Sequence, residues 1–193
     1  MKQLVFATNN DYKAKEVGVL LDGLYQVLTL KDIGCDTDIP ETGNTFEENA
    51  ALKSNYVAEN YQLSCFGDDS GLEVEALNNE PGIFSARYSG VRDDKTNMEL
   101  VLQKMAGQTN RNARFRTVIA LHQAGQNHFF EGVIEGVLTE TPVGDQGFGY
   151  DPIFKPNGYE KTFAQMSTAE KNTISHRALA MKKLIAFLKN QAQ

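Results

Sequence analysis

The sequence predicts an α/β protein built on a mixed β-sheet. Segments that alternate apolar and polar residues with period two, such as 115–121, are interspersed with segments of helical spacing, such as 98–105. Two strand-like segments are separated only by a short turn near Gly125, which favours an antiparallel pair within the sheet. With 193 residues the chain is long enough for one domain, or for two closely joined lobes with a real core.

Composition narrows the class of protein. The net charge of −6 argues against non-specific nucleic-acid binding, which needs a broad basic surface. No apolar run approaches the roughly 18 residues of a membrane span, and no signal peptide is visible before the first strand. Cys35 and Cys65 lack metal-ligand spacing, so we expect free buried thiols in a reducing cytoplasm.

The first half of the chain alternates strands and helices. A strand over 3–7 leads through a polar loop into a helix over 13–21. Thr45 and Glu48 fit a capping box at the start of a second helix. The pattern around 67–71 predicts a strand, a tight acidic turn and a second strand.

The second half adds a hairpin and further helices. In chain order it predicts an irregular stretch over 81–90, a helix over 98–105, strands over 115–121 and 129–138, and a helical tail over 168–189.

The predicted acidic turn is Gly67-Asp68-Asp69-Ser70-Gly71. Two adjacent carboxylates repel each other, and a chain tolerates them cheaply only in water or beside a cation. A solvated turn and a Mg²⁺ site are both compatible with the local pattern, since carboxylate oxygens are the usual Mg²⁺ ligands. Glu41 is a further candidate ligand if the fold brings it to Asp69.

The loop between the first strand and the first helix is a candidate phosphate site. A helix N-terminus offers unpaired amides and the positive end of a dipole, and Lys13 would add a charge. Ordinary helix capping explains the same residue types. The segment is Thr8-Asn9-Asn10-Asp11-Tyr12-Lys13.

A second lysine lies on the next helix. Asn49 and Lys53 are four residues apart and share a face with Phe46 and Val57. Lys53 therefore either snorkels to water or serves a buried site.

Two stretches near the C-terminus are candidates for binding a base. Gly147 to Pro152 forms a glycine-hinged loop with two aromatic side chains and an acid, and an aromatic there can stack on a base. Lys171 and His176 lie about 140° apart on an ideal helix, so one continuous helix would not aim both at one ligand. We predict a helix break over 172–174, with Ser175 capping a new helix. We assign no functional role to His122 or His128.

In order and spacing, these segments resemble the inosine triphosphate pyrophosphatase family over nearly the whole chain. The matching segments are Thr8, Asn10 and Lys13; Glu41-Thr42-Gly43; Thr45-Phe46; Asn49-Ala50 with Lys53; Asp68-Asp69-Ser70-Gly71-Leu72; Pro81-Gly82-Ile83; Ser85-Ala86-Arg87-Tyr88; Phe148-Gly149-Tyr150-Asp151-Pro152; Lys171-Asn172; and Ser175-His176-Arg177.

The resemblance implies a two-lobed α/β fold in which a long mixed sheet is flanked by helices, with a cleft between the lobes. It implies one nucleoside-triphosphate pyrophosphatase domain over 1–193, a Mg²⁺ cofactor and a homodimer. The expected reaction converts ITP, dITP or XTP to the monophosphate and pyrophosphate. Asp69, Lys53 and Lys13 would be catalytic, and Glu41 and Asp69 would hold the metal.

The resemblance also implies a substrate-binding set. Phe148 would stack on the base, and three cations would donate to its 6-oxo group. Asp151 or backbone groups would act at the 2-position. The full set is Thr8, Asn9, Asn10, Asp11, Tyr12, Lys13, Ser70, Phe148, Gly149, Tyr150, Asp151, Lys171, His176 and Arg177.

Two alternatives stay open. One is a Maf-like pyrophosphatase of modified or pyrimidine nucleotides, against which the Lys171 and Ser175-His176-Arg177 motifs argue. The other is a non-catalytic nucleotide-binding protein. Intact Glu41, Lys53 and Asp69 argue against it, because a pure binder has little need of a metal-held water.

Overall fold

The computed structural model describes residues 2–191. The strands in this range are β1 (Lys2–Phe6), β2 (Tyr25–Leu28), β3 (Cys65–Val74), β4 (Glu80–Pro81), β5 (Asn112–Gln123), β6 (Gln126–Leu138) and β7 (Phe154–Pro156). The α-helices are α1 (Asp11–Leu21), α2 (Phe46–Tyr61), α3 (Asp94–Lys104), α4 (Thr168–Ile174) and α5 (His176–Asn190). None of the helices in this range is both long and apolar enough to cross a membrane.

The strands form a mixed sheet, as predicted. Its order is β2-β1-β3-β5-β6-β7, with β4 paired to β3. β1 runs parallel to both β2 and β3, whereas β4 is antiparallel to β3 and β7 is antiparallel to β6. β5 and β6 are joined by Ala124 and Gly125, which both have positive φ, as a tight hairpin turn requires.

The chain divides into two compact units, in agreement with the predicted two lobes. The first comprises the residues up to Asp69, Thr117–Gly132 and the residues from Arg177 onward. The second comprises Ser70–Arg116 and Val133–His176. β3, β5 and β6 are divided between the two units.

The first unit buries both faces of its part of the sheet. Along β1, Leu4 and Phe6 belong to a core with residues of α1 and α5, while Val5 and Ala7 belong to a core with residues of α2. Where a strand is covered on both faces, successive residues are apolar, which explains the run from Leu4 to Ala7.

The second unit has one main core. It includes Leu72 and Val74 of β3, Val101 of α3, and the aromatic side chains Phe115, Phe154 and Phe163, with further buried members. Phe115 contacts Phe154 edge to face, with ring centroids 4.7 Å apart.

Candidate active site

The acidic pair lies within a strand, so the predicted tight turn between two strands is wrong. β3 runs without interruption from Cys65 to Val74 and contains both Asp68 and Asp69. The glycines on either side caused the error, because glycine is as much a marker of close backbone approach as of turns. A Cβ at Gly67 would lie 2.4 Å from the carbonyl oxygen of Ala50.

The strand conformation directs the two carboxylates to opposite faces of the sheet. Asp68 lies on the face of Phe66, which packs with residues of α1 and α5. Asp69 lies on the opposite face, where it contacts α2 through Asn49. The two acids are therefore adjacent in sequence but have different partners.

Asp68 is held by cations. Its Oδ1 accepts a hydrogen bond of 2.9 Å from Lys13 Nζ, and its Oδ2 lies 3.5 Å from Arg177 Nε. Burial raises the pKa of Asp68, but Lys13 and Arg177 outweigh burial and hold this pKa well below its usual value. Arg177 also forms a buried ion pair with Glu16. Asp68 is thus an ionised, structurally paired carboxylate.

The negative charge of Asp69 is compensated less well than that of Asp68. Its Oδ2 accepts a hydrogen bond of 3.0 Å from Asn49 Nδ2. Burial raises the pKa of Asp69 to about 6, against the opposing effects of Lys53 and Lys13. A carboxyl group that is costly to ionise in this way is suited to accept a proton or to contact an added cation.

Glu41 and Lys53 form an ion pair that acts electrostatically on Asp69. Lys53 Nζ donates to Glu41 Oε1 over 2.7 Å. Burial alone lowers the pKa of Lys53, but three neighbouring carboxylates, led by Glu41, outweigh it and raise this pKa. The snorkelling explanation is wrong, since the Lys53 side chain is largely buried and paired. The fold does bring Glu41 close enough to act electrostatically on Asp69.

Asn49 is a member of this cluster that the candidate list omits. Its side chain is fully buried, donates to Asp69, and accepts a hydrogen bond of 2.8 Å from the backbone N–H of Gly43. The available signal was its position on the same helix face as Lys53, four residues away. Asn49 fixes the carboxylate of Asp69 and the loop that follows Glu41.

The start of α1 has the geometry of a helix cap. Asn10 is the N-cap, and its Oδ1 accepts from the backbone N–H of Lys13 over 3.1 Å. Thr8 is buried, and its Oγ1 accepts from the N–H of Asn10 over 3.1 Å. Asn9, Asp11 and Tyr12 are exposed. Capping therefore occurs here, and Lys13 extends from the first helical turn to Asp68.

The second unit contains the candidate base-binding residues. Lys171 Nζ forms a buried ion pair of 2.6 Å with Asp151 Oδ2 and lies 5.1 Å from the ring centroid of Phe148. Asp151 Oδ2 also accepts from the backbone N–H of Phe148 over 3.0 Å. His176 stacks on Phe115 with ring centroids 4.7 Å apart. Loop, cation and aromatic rings form one cluster.

A helix break is confirmed, but its predicted position is wrong by one residue, since residues 172–174 still belong to α4. α4 ends at Ile174, Ser175 is extended, and α5 begins at His176, as an N-capping position requires of Ser175.

The three predicted base-binding cations are divided: Lys171 and His176 belong to the second unit, whereas Arg177 belongs to the first. Of the other candidates, Ser70 is half-buried on β3, Tyr150 is buried, and Gly149 is half-buried.

Comparison with known proteins identifies the family. The model of the Ham1 family matches residues 4–187. This chain belongs to the Ham1 family. A dITP/XTP pyrophosphatase of Flavobacterium psychrophilum is 53% identical over 189 residues, which cover 97% of this chain and all of that relative.

Solved structures of Ham1 proteins have the same fold. The Ham1 protein of Staphylococcus aureus matches with a TM-score of 0.89 and 42% identity, covering 98% of this chain and 100% of that one. A HAM1 protein from Coxiella burnetii matches with a TM-score of 0.89 and 38% identity over the same shares. All candidate residues in both units lie within the segment that the Ham1 family model matches.

Proposed function

We propose that this protein hydrolyses non-standard purine nucleoside triphosphates, namely ITP, dITP and XTP, to the monophosphate and pyrophosphate. This reaction removes them from the nucleotide pool. The observation that carries the proposal is the buried Asp69, whose carboxyl group is costly to ionise and lies in the electrostatic field of Lys13 and Lys53. The names of the similar dITP/XTP pyrophosphatases support the substrate class.

The chemistry assigned to these residues is attack of water on the α-phosphorus. The bond from this phosphorus to the bridging oxygen breaks, pyrophosphate leaves, and one proton of the water passes to a base. A pKa near 6 suits Asp69 as that acceptor at neutral pH. Lys13 and Lys53 would stabilise the negative charge that develops on the leaving oxygens, helped by Thr8 and Asn10.

A Mg²⁺ ion fits the donor set. Glu41 and Asp69 supply the oxygen ligands that Mg²⁺ prefers, and Mg²⁺ is usually bound through one or two carboxylates together with substrate phosphates. Within residues 2–191, no group of three or more His, Cys, Asp and Glu side chains is placed to hold a metal ion. When bound, the ion would neutralise phosphate charge and polarise an attacking water.

Base selection would come from the second unit. Phe148 offers a stacking face, and Lys171 and His176 offer donors to a 6-oxo group. The amino group of adenine would place a hydrogen-bond donor opposite the donors of Lys171 and His176. Such a mismatch can disfavour a substrate by a factor of about 10⁴ or more. Asp151 is already bonded to Lys171 and Phe148. Its contribution at the base would therefore be to hold them.

We further propose that residues 1–193 act as one catalytic domain. The working form would be a cytoplasmic homodimer. Size-exclusion chromatography with light scattering tests the dimer, because a homodimer doubles the 21.4 kDa of the chain.

The function is tested by supplying ITP, ATP and a pyrimidine triphosphate to the purified protein with Mg²⁺ and assaying pyrophosphate and orthophosphate. The proposal expects pyrophosphate from ITP, with ATP nearly untouched. Direct release of orthophosphate would contradict attack at the α-phosphorus. Preferred turnover of the pyrimidine would favour the Maf-like alternative, and binding of ITP without turnover would favour the non-catalytic one.

A further inference from the structure

The loop that carries Phe148 contains two glycines in a backbone conformation that other residues rarely adopt. Gly147 and Gly149 flank the aromatic residue and have φ values of +77° and +61°. Glycine adopts this region freely, but it also has many other conformations available. The position of the Phe148 ring therefore depends on hydrogen bonds that fix the backbone of the loop.

Three of the hydrogen bonds that this loop makes bear on the position of Phe148. Asp151 Oδ2 accepts from the N–H of Phe148 within the loop, and the hydroxyl of Tyr150 donates to the carbonyl oxygen of Ser85 over 2.7 Å. The third bond leaves the loop in another direction. The N–H of Gly149 donates to Asp94 Oδ2 over 2.8 Å.

Asp94 is the first residue of α3 and lies outside every set of residues considered above. Its carboxylate is not required as the helix cap, because Asp93 fills that position and accepts from the N–H of Thr96 over 2.7 Å. After burial, Asp94 is the leading electrostatic cause that raises the pKa of Tyr150, which places its charge beside the loop.

The helix that carries Asp94 is itself firmly fixed. Asn97, three residues further along α3, is 1% exposed. Its Oδ1 accepts from the N–H and the hydroxyl of Ser89, over 2.8 and 2.7 Å, and its Nδ2 donates to the carbonyl oxygen of Ala86 over 3.1 Å. A residue on the first turn of such a helix can therefore hold a neighbouring loop in place.

We propose that Asp94 is a positioning residue for base recognition. It holds the backbone of Gly149 so that Phe148 presents its ring to the purine, and it does not itself touch the substrate. The inference rests on the proposed function and deepens it. Loss of the Asp94 carboxylate should weaken binding of the base while leaving the phosphate-binding residues and the chemical step unchanged.

The test compares Asp94→Ala and Asp94→Asn with the wild-type enzyme. For Asp94→Ala we expect KM for ITP to rise about five- to tenfold, the effect of losing one hydrogen bond that is exposed to water, with kcat within about twofold. Binding of IMP, measured by calorimetry, should weaken by the same factor. Asp94→Asn keeps an oxygen acceptor and should recover most of the loss.

Two controls separate positioning from general damage. Asp93→Ala removes the cap of the same helix, so it should lower Tm but leave KM for ITP unchanged. Inorganic tripolyphosphate has no base, so its inhibition constant should be the same for the wild-type enzyme and Asp94→Ala. Circular dichroism confirms that each variant is folded.

The outcomes distinguish the two proposals. If the wild-type protein hydrolyses ITP but Asp94→Ala leaves KM unchanged, the positioning role is overturned and the proposed function stands. A parallel loss in Asp93→Ala, or a shift in tripolyphosphate inhibition as large as that in KM, would also overturn it. A wild-type protein that neither hydrolyses ITP nor binds IMP overturns the proposed function, and the positioning role with it.

Discussion

Asp68 and Asp69 are chemically identical neighbours that the fold treats in opposite ways. Asp68 is ionised and paired with Lys13 and Arg177, and its pKa is depressed. Burial raises the pKa of Asp69 to about 6. The difference follows from the strand, which sends successive side chains to opposite faces. Stability and catalysis can therefore be separated by changing one residue at a time.

Replacing Asp69 by Asn should stabilise the metal-free protein. A folded-state pKa raised from 3.8 to about 6 means that ionisation opposes folding. The destabilisation that ionised Asp69 causes is absent below pH 4, grows as the pH rises from 4 to 6, and then stays constant. Above pH 6, Asp69→Asn should gain about 1–3 kcal/mol over the wild type. Urea unfolding in EDTA at pH 4 and pH 7.5 measures the difference.

The same variant should lose activity by about 10³-fold or more, because the amide neither accepts the proton nor binds a metal well. A pH-independent stability difference would contradict the assigned pKa. Near-wild-type turnover would contradict the catalytic role.

Replacing Asp68 by Asn should have the opposite effect on stability. The change leaves two buried cations, Lys13 and Arg177, without their shared carboxylate, and breaking a buried pair costs about 3–5 kcal/mol. Because the folded-state pKa of Asp68 is depressed, its contribution is present above pH 4 and is lost as the pH falls through the folded-state pKa. Thermal unfolding at pH 7.5 gives the measurement, and an unchanged Tm would contradict the pairing.

At the level of elements, periodicity predicted the helices and the long strands β1, β5 and β6, but it missed the short strands β2, β4 and β7. It also failed at β3, where glycine marks close packing rather than a turn. The continuous apolar run of β1 and the spacing of α5 each reflect burial that is encoded locally. The β3 segment was divided wrongly because Gly67 and Gly71 mark close contacts with other segments. Such contacts are a property of the tertiary fold and leave no periodic signal.

A glycine exchange tests the close approach at β3. A Cβ at Gly71 would lie 2.2 Å from the carbonyl oxygen of Gly82 and 2.7 Å from Ser85 Oγ. Gly71→Ala should therefore destabilise the protein by about 1–3 kcal/mol, the usual cost of overpacking. Gly18→Ala is the matched control, since a Cβ on that α1 residue meets nothing within 4 Å. Ala in a helix interior should stabilise by about 0.5–1 kcal/mol. Equal effects of the two changes on the urea midpoint would contradict the packing.

The candidate site was predictable only in part, because contacts between distant segments leave no periodic signal in the sequence. Helix geometry alone predicted the break between Lys171 and His176. The catalytic and metal-binding roles came from family resemblance, because Glu41 and Asp69 lie 28 residues apart and no local rule brings them together. Asn49, Glu16 and Asp94 act through long-range contacts. Their roles therefore became visible only when their partners were placed.

At the level of the whole molecule, the proposed roles are divided between the two units. The first contains the residues proposed for phosphate and metal, and the second contains Phe148, Lys171 and His176. Family resemblance predicted this two-lobed α/β fold because it extends over nearly the full chain. The metal should accordingly serve catalysis rather than folding, since each unit has its own apolar core.

Removal of the metal tests whether it serves catalysis rather than folding. EDTA should abolish hydrolysis of ITP, and added Mg²⁺ should restore it. The Tm without nucleotide should change little, because two carboxylates alone bind Mg²⁺ weakly. Activity that persists after exhaustive chelation would contradict the proposed role of Glu41 and Asp69 as ligands.

In the proposed reaction, water attacks the α-phosphorus. Hydrolysis of ITP in water enriched in ¹⁸O, followed by mass spectrometry of both products, tests it most directly. We expect one ¹⁸O atom in the phosphate of IMP and none in pyrophosphate. Label in pyrophosphate with unlabelled IMP would place the attack on the β-phosphorus and would overturn the proposed reaction.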